Sequence, residues 1–294
     1  MPELPDLLYI QSELEARVCG KVVRTARLAN PVLLRAMVAT DGAASPLELL
    51  VGRRLVAIER LAHFLFFSFS ARVGAGAGAL ELGVNPMLAG RFRLAAPGER
   101  DEAALGFALG FGDAGEDVEL RYLDDKQMGK VYLLPAGQRA SIPALPRPGL
   151  PILGEAFTRE AFRAAIARRR DQVRVFLMDK SAIDSLGNAY ADEVLFAARL
   201  HPKTPCRALS PEEIDRLHDE MVRVMRAAVE EVARRKAPTE EKIRDFLQVR
   251  LRTVCPRCGH KVRKAGVYGK DSYFCPHCQP ARRPGLVDWR KTGK

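Results

Sequence analysis

Apolar residues recur at helical spacing from the fourth residue on. Leu4, Leu7, Leu8, Leu14 and Val18 share one face of a helix over 4–18, with Pro2 and Pro5 suited to its first turn and Gly20 to its end. From about 21 to 134 the pattern changes to short apolar runs between turn signals, at 21–28, 54–58, 64–69, 80–82, 91–94, 118–123 and 129–134. Gly/Ala/Ser and Asp/Gly stretches separate them, including a glycine-rich segment at 74–78. This texture predicts a mostly β domain, a sandwich or a barrel. Pro143, Pro146, Pro148 and Pro151 mark a linker. Helical spacing returns from Thr158 to about Leu251, with segments near 158–178, 189–199, 211–236 (Ser210 as N-cap) and 239–248. The domain expectation is 1–140, a linker at 141–157, a helical domain at 158–249, a cysteine-bearing module at 250–281 and a basic tail at 282–294.

A length of 294 residues, 47% hydrophobic and 28% charged, is that of a globular chain with room for about two domains. No run approaches the ~18 apolar residues of a membrane span, and the N-terminus lacks a basic-then-apolar signal. Membrane and secreted classes are set aside, and the expected location is cytoplasmic and nucleoid-associated. Charge sharpens the picture. Residues 1–140 hold 16 basic and 17 acidic side chains, whereas 141–294 hold 31 and 19, and 250–294 alone hold 12 and 2. The excess positive charge of the second half favours a polyanionic partner, usually nucleic acid.

Four of the six cysteines form Cys255-Pro-Arg-Cys258 and Cys275-Pro-His-Cys278, two CxxC pairs separated by 16 residues. A short β-hairpin can bring the pairs around one tetrahedral ion, so the spacing predicts a four-thiolate zinc site. Two disulfides or a redox motif would require an oxidising setting that nothing in the sequence suggests. Four sulfurs leave no open coordination position, so the expected ion is structural and supports a ribbon too small for its own core. Cys19 and Cys206 read as packing residues. A second segment, Lys180-Ser-Ala-Ile-Asp-Ser-Leu-Gly187-Asn188, joins two helices. Gly-Asn there is either an ordinary turn and helix cap or, with free N–H groups and an amide, a phosphate anchor.

Three separated segments then point the same way: Met1-Pro2-Glu3-Leu4-Pro5-Asp6, Gly187-Asn188-Ala189-Tyr190-Ala191-Asp192-Glu193 through His201-Pro202, and Tyr273-Phe274-Cys275-Pro276-His277-Cys278-Gln279. Their order and spacing resemble the formamidopyrimidine-DNA glycosylase / endonuclease VIII family over about residues 1–280. The resemblance implies an α+β multidomain fold: an N-terminal β-sandwich preceded by a helix, a helix–two-turn–helix domain and a C-terminal zinc β-hairpin finger. It implies base excision from duplex DNA followed by strand cleavage at the abasic site, one structural Zn2+, no other cofactor and a monomer.

For site residues the resemblance implies the following. With Met1 removed, Pro2 presents a secondary amine. An α-amino group titrates near 7.7–8.0, so a useful fraction is neutral and nucleophilic at physiological pH, unlike a lysine near about 10.4. Glu3 is the adjacent proton donor and acceptor; on sequence alone Pro-Glu is equally a helix start. Met87, in Met87-Leu88-Ala89-Gly90, matches a loop that fills the gap left by a flipped base. Asp124-Asp125-Lys126-Gln127-Met128-Gly129 stands in place of an Asp-Pro-Arg-x-Phe-Gly segment, making Lys126 and Met128 candidates for the orphaned base and the stack. Asn188 and Lys270 carry over as phosphate contacts, and Cys255, Cys258, Cys275 and Cys278 as the metal ligands.

Departures fall around the lesion. Asp6 replaces a glutamate and His63 replaces a catalytic-site lysine, exchanging a permanent cation for a group with an ordinary pKa of about 6.5. Asn85 stands where a histidine precedes the Met loop, and Lys126 and Lys270 replace arginines, a point charge for a bidentate fork. The leading expectation is a bifunctional glycosylase/lyase with a non-standard lesion range and His63 in its catalytic site. The alternatives are a lyase acting mainly on abasic sites or bulky adducts, and a catalytically weak damage-binding protein.

Overall fold

A computed structural model of the chain describes residues 2–40, 42–72, 78–112, 117–143, 145 and 147–282. The glycine-rich segment, but for Gly78, and the tail beyond Arg282 lie outside them, as does Pro146. The chain divides into two compact units: residues up to 145 together with 232–242, and residues 146–231 together with 243 onward.

The first unit opens with α1 (Leu4–Val18), followed by β1 (Val22–Leu28), β2 (Leu34–Ala36), β3 (Leu55–Leu61), β4 (Phe64–Phe69), β5 (Leu80–Asn85), β6 (Arg91–Ala95), β7 (Leu105–Gly112), β8 (Val118–Leu123) and β9 (Lys130–Pro135). They form a four-stranded sheet, β1-β7-β8-β6, and a five-stranded sheet, β2-β9-β5-β4-β3, antiparallel except for the β2–β9 pair. One core joins both sheets: Phe92, Phe107, Leu109 and Tyr122 from the first meet Ile58, Phe67, Leu82 and Leu133 from the second, with Leu7, Ile10 and Leu14 of α1. Of sandwich or barrel, the fold is the sandwich. β4 reads as an unbroken apolar run because both its faces are covered: Leu65, Phe67 and Phe69 enter this core, while Phe64 and Phe66 pack with Tyr132, Leu134 and Ile142.

β2 and β7 were not among the expected strands. In β7, Leu-Gly-Phe-Ala-Leu-Gly-Phe-Gly, the glycines resemble turn signals. They serve close approach instead, since a Cβ on Gly110 would collide with the Thr25 hydroxyl of the neighbouring strand. Residues 232–242 belong to this unit because the Tyr9 hydroxyl donates to the Ala237 carbonyl at 2.7 Å and Thr239 to that of Phe92 at 2.7 Å.

The second unit holds α2 (Arg159–Ala167), α3 (Val173–Met178), α4 (Asn188–Ala197), most of α5 (Pro211–Arg235) and a hairpin of β10 (Arg263–Val267) and β11 (Lys270–Phe274). Thr158 caps α2 and Ser210 caps α5, each hydroxyl accepting a backbone N–H three residues on. The single helix expected at 158–178 is two: between them Val173 N–H turns to Thr204 O at 2.8 Å, and Arg169 is paired to Asp171 and Asp179. The helix expected at 239–248 is absent. The N–H groups of Gln248, Val249 and Arg250 donate to the Glu193 carboxylate at 2.7–2.9 Å instead of to carbonyls four residues back. The end of the expected linker is built into this unit, with Gly149 and Leu150 donating to Lys180 O and Ala182 O.

Candidate functional site

In the first unit, two hydrogen bonds fix how α1 lies on β3. Gly20 N–H reaches Leu55 O at 2.8 Å, and Gln11 Nε2 reaches Ile58 O at 2.9 Å. Helix and strand therefore run antiparallel. Eight helical residues back from Gln11 span roughly 12 Å, and five strand residues on from Ile58 span roughly 16 Å. Pro2–Glu3 and His63 thus come to the same end of the sheet. All three are buried, Glu3 at 6% and His63 at 2% exposure. Asp6 accepts the Glu3 N–H at 2.8 Å, so the shortened acid holds the backbone beside Pro2. His63 sits in the β3–β4 turn, where Ala62 has φ 52° and its carbonyl is gripped by Arg60 Nη1 at 2.7 Å.

Two loops complete this unit's set. At 85–90, Asn85 Oδ1 accepts Met87 N–H at 3.0 Å, Met87 takes φ 47°, and Gly90 N–H closes onto Pro86 O at 2.8 Å. This turn leaves Met87 half-buried and aims its neighbour outward: Leu88 is 57% exposed. Leu88 was missed in the sequence, where a methionine at the matching position drew the attention. At 124–129 the buried Asp124 accepts Lys126 N–H at 3.1 Å and Gly129 N–H at 2.6 Å, and Gln127 has φ 53°. Lys126 and Met128 are exposed at its tip. Between the loops stands Tyr122, fully buried. A Cβ on either Gly90 or Gly129 would overlap its hydroxyl, so one phenol determines how close both loops come. Burial, then the Asp124 charge, pushes the Tyr122 hydroxyl well above its ordinary pKa and keeps it neutral. The signal for Tyr122 was the two glycines.

In the second unit, Asn188 opens α4 and Lys270 opens β11. Arg174, 2% exposed, organises both: Nη2 donates to Asn188 Oδ1 at 3.0 Å and to Asp271 O at 3.1 Å, and Nε to Asp192 Oδ1 at 3.1 Å. With its carbonyl oxygen held, the Asn188 amide keeps its NH2 as the group available to an anion. Lys180 was also missed. Its ammonium is pushed below the ordinary lysine range by burial and then by the charge of Lys270. An anion beside it relieves both effects. Asp192 is the hub of this unit, accepting from Arg174, Arg250 (2.6 Å), Ser272 (2.7 Å) and Tyr273 N–H (3.0 Å). His201 lies edge-on to Phe274 at 4.6 Å, and burial, then Lys203, pushes it down to about 4.

The four cysteines converge. Sγ of Cys255 and Cys278 are 3.9 Å apart and those of Cys258 and Cys275 are 3.5 Å apart. A tetrahedral ion with Zn–S of about 2.3 Å requires edges of roughly 3.8 Å, so these sulfurs fit one structural zinc. Gln279 braces the site, accepting Cys275 N–H at 2.9 Å and donating to Leu200 O at 2.8 Å.

With this geometry in place, similarity to known proteins adds the rest. The chain matches the models of the formamidopyrimidine-DNA glycosylase N-terminal domain (residues 1–131), the formamidopyrimidine-DNA glycosylase H2TH domain (149–237) and the zinc finger found in FPG and IleRS (254–281). It is 31% identical over 288 residues to the formamidopyrimidine-DNA glycosylase of Symbiobacterium thermophilum, covering 95% of this chain and 90% of the relative. Identity to the Heliobacterium modesticaldum protein of the same name is 30% over 291 residues, covering 95% and 100%. The Lactococcus lactis Fpg solved with abasic-site DNA superposes with TM-score 0.80 at 25% identity, covering 95% and 100%. A mutant of that protein solved with Fapy-dG containing DNA superposes equally well.

Proposed function

The chain belongs to the formamidopyrimidine-DNA glycosylase family, and from that premise we propose that it removes a damaged base from duplex DNA and cleaves the strand at the resulting abasic site. The observation that carries this is the gathering of Pro2, Glu3 and His63 at one buried end of the first unit. Once Met1 is removed, the Pro2 amine attacks C1′ of the deoxyribose and the base departs with its bonding pair, taking a proton delivered through Glu3. Glu3, recharged by the amine proton, then protonates O4′ as C1′–O4′ breaks, opening the sugar ring to an iminium. This draws electrons from C2′–H; loss of that proton expels the 3′ phosphate, and water hydrolyses the imine to release the enzyme. Lys126, Met128 and the exposed Leu88 are assigned to the space left by the flipped nucleotide, and Asn188, Lys180 and Lys270 to backbone phosphates. The zinc holds the finger and takes no part in the chemistry. No helix among the described residues is long and apolar enough to cross a membrane; a duplex-DNA substrate supports a location with the nucleoid.

The test is borohydride trapping on duplex DNA carrying one abasic site, with Met1 removal verified by mass. A covalent adduct is expected, and it should be weakened in Pro2→Gly, which keeps an α-amine but loses the constrained secondary amine. Glu3→Gln should lower base excision by about 10²–10⁴-fold and leave abasic-site binding nearly unchanged. Absence of an adduct despite tight binding would leave a damage-binding protein instead. An adduct without excision of any oxidised base would favour a lyase for abasic sites or bulky adducts, a reading supported by His63 in place of lysine and by Asn85 being committed to its own turn.

A further inference from the structure

The β10–β11 hairpin turns on two residues, Tyr268 and Gly269, between the paired Val267 and Lys270. Both have positive φ, 51° and 76°, the pattern of a type I′ turn. Glycine and asparagine take such angles readily, whereas a bulky aromatic at the first position is an outlier that costs stability. Packing does not offset that cost. Tyr268 is 89% exposed, the most of any large apolar or aromatic side chain among the described residues. The hairpin's own apolar contacts are made by Ala265, Val267 and Phe274 against Val175. Single exposed apolar residues are ordinary on a protein surface, but one held in a strained backbone at the tip of a turn points to a use.

The tip stands on a fixed base among cations. Ser272 Oγ donates to Asp192 at 2.7 Å and Tyr273 N–H at 3.0 Å, while the Asp271 carbonyl accepts from Arg174 at 3.1 Å and Arg250 at 3.2 Å. Tyr268 and Lys270 line one groove together with Arg169, Arg174 and Met178. Residues 250–294 hold 12 basic and 2 acidic side chains. A fixed aromatic ring beside cations suits a polyanion that also offers flat, partly apolar faces. The sugars of a nucleic acid, each joined to a phosphate, are such faces.

We propose that Tyr268 is a DNA-contacting residue of the finger tip, its ring packing on the deoxyribose next to the phosphate assigned to Lys270. The inference rests on the DNA-repair function above and adds to it a contact of a different physical kind. Lys270 grips by charge, which salt screens. A ring covered by a sugar contributes through dispersion and exclusion of water, which salt leaves largely alone. The strain at position 268 is then offset only in the complex.

The experiment measures binding of full-length, zinc-loaded protein to a duplex carrying a tetrahydrofuran abasic-site analogue, by fluorescence anisotropy at several salt concentrations. Tyr268→Asn suits the turn, so its melting temperature should equal or exceed that of wild type. Its affinity for DNA should nevertheless fall about five- to tenfold at every salt concentration, with the slope of log K against log salt unchanged. Tyr268→Phe keeps the ring and should bind like wild type. Unchanged affinity in Tyr268→Asn would show that the ring makes no contact, a smaller slope that it acts by placing Lys270, and a lower melting temperature that it is a packing residue. Equal losses in the Asn and Phe variants would assign the contact to the hydroxyl, so each of these results overturns the proposal. A wild type with no preference for abasic over intact duplex would count against the function above, while the variants remain comparable on intact duplex, so the two fail separately.

Discussion

Lys126 and Met128 ride on a turn framed by a single carboxylate, Asp124, against the Tyr122 ring, whereas Asn188 and Lys270 are held by a buried ion cluster of Arg174, Asp192 and Arg250 beside a metal. The departures from the family pattern divide the same way. Asp6, His63, Asn85, Asp125, Lys126 and Met128 lie in the β unit, and Lys270 lies in the helical unit. Within the Asp124–Gly129 segment the matching residues are the two that build the turn, and the tips, Asp125, Lys126 and Met128, are the ones that differ. In the helical unit the matching run 187–193 includes the network itself, because Asn188, Asp192 and Glu193 all make its bonds. A frame of backbone hydrogen bonds lets its tips change; a frame made of the functional side chains does not.

The largest expected effect breaks this comparison directly. Asp192→Asn leaves Arg174 buried against a neutral amide whose NH2 opposes the surrounding donors, and should destabilise the helical unit by about 3–5 kcal/mol. Asp124→Asn keeps one acceptor oxygen but turns an NH2 against the other backbone N–H of the turn in the β unit, at a cost of about 1–3 kcal/mol. Chemical denaturation of both variants checks the order. Equal losses, or a greater loss at Asp124, would remove the distinction between the two frames.

What was legible in the sequence follows the same physics. Helix α1, the β texture and the zinc thiolates announce themselves through periodicity and spacing, which are local signals. The absent helix at 239–248 had helical periodicity, yet the segment forms separate turns, Glu241 N–H to Pro238 O and Leu247 N–H to Arg244 O. Its end, from Gln248 on, is tied to Glu193, some 55 residues earlier; a long-range acceptor leaves no mark on local spacing. β7 was hidden by glycines that tertiary contact, not turning, requires. Leu88 and Lys180 were missed because exposure and proximity to a second charge are properties of the folded chain. Arg174 stood in plain sight on an apolar helix, and a charged residue there was the one available hint of the network.

A smaller effect tests Tyr122 as the post between the two loops. Gly129→Ala should cost about 1–3 kcal/mol through overlap with the phenol. Tyr122→Phe in the same chain should recover part of this loss, giving a coupling energy in the double-mutant cycle. Recovery should be incomplete, since Asp124 Oδ2 also lies 2.9 Å from the added carbon. Strict additivity would mean that the hydroxyl does not set the loop spacing.

Acid should separate the units next. His201 is depressed to about 4 in the folded chain against 6.5 when free, so the unfolded chain takes up the proton first as pH falls. The stability this group contributes is complete above about pH 6.5 and is lost as pH falls towards 4, about 3 kcal/mol in all. His201→Gln should flatten that part of the pH–stability profile of the helical unit. An unchanged profile would show that His201 is not held neutral against Phe274.

The smallest effect concerns the one departure in the helical unit. Lys270→Ala removes one cation and should lower the salt dependence of DNA binding, the slope of log K against log salt falling by about 0.9. Lys270→Arg keeps the charge, so the slope should not move, while the bidentate fork should tighten binding a few-fold. The two substitutions therefore separate charge from geometry at a single phosphate. If arginine tightens binding with an unchanged slope, the lysine is a weaker grip on the same phosphate. If it brings no gain, Lys180 already supplies what the fork would add, and the pair of lysines is a complete substitute for one arginine.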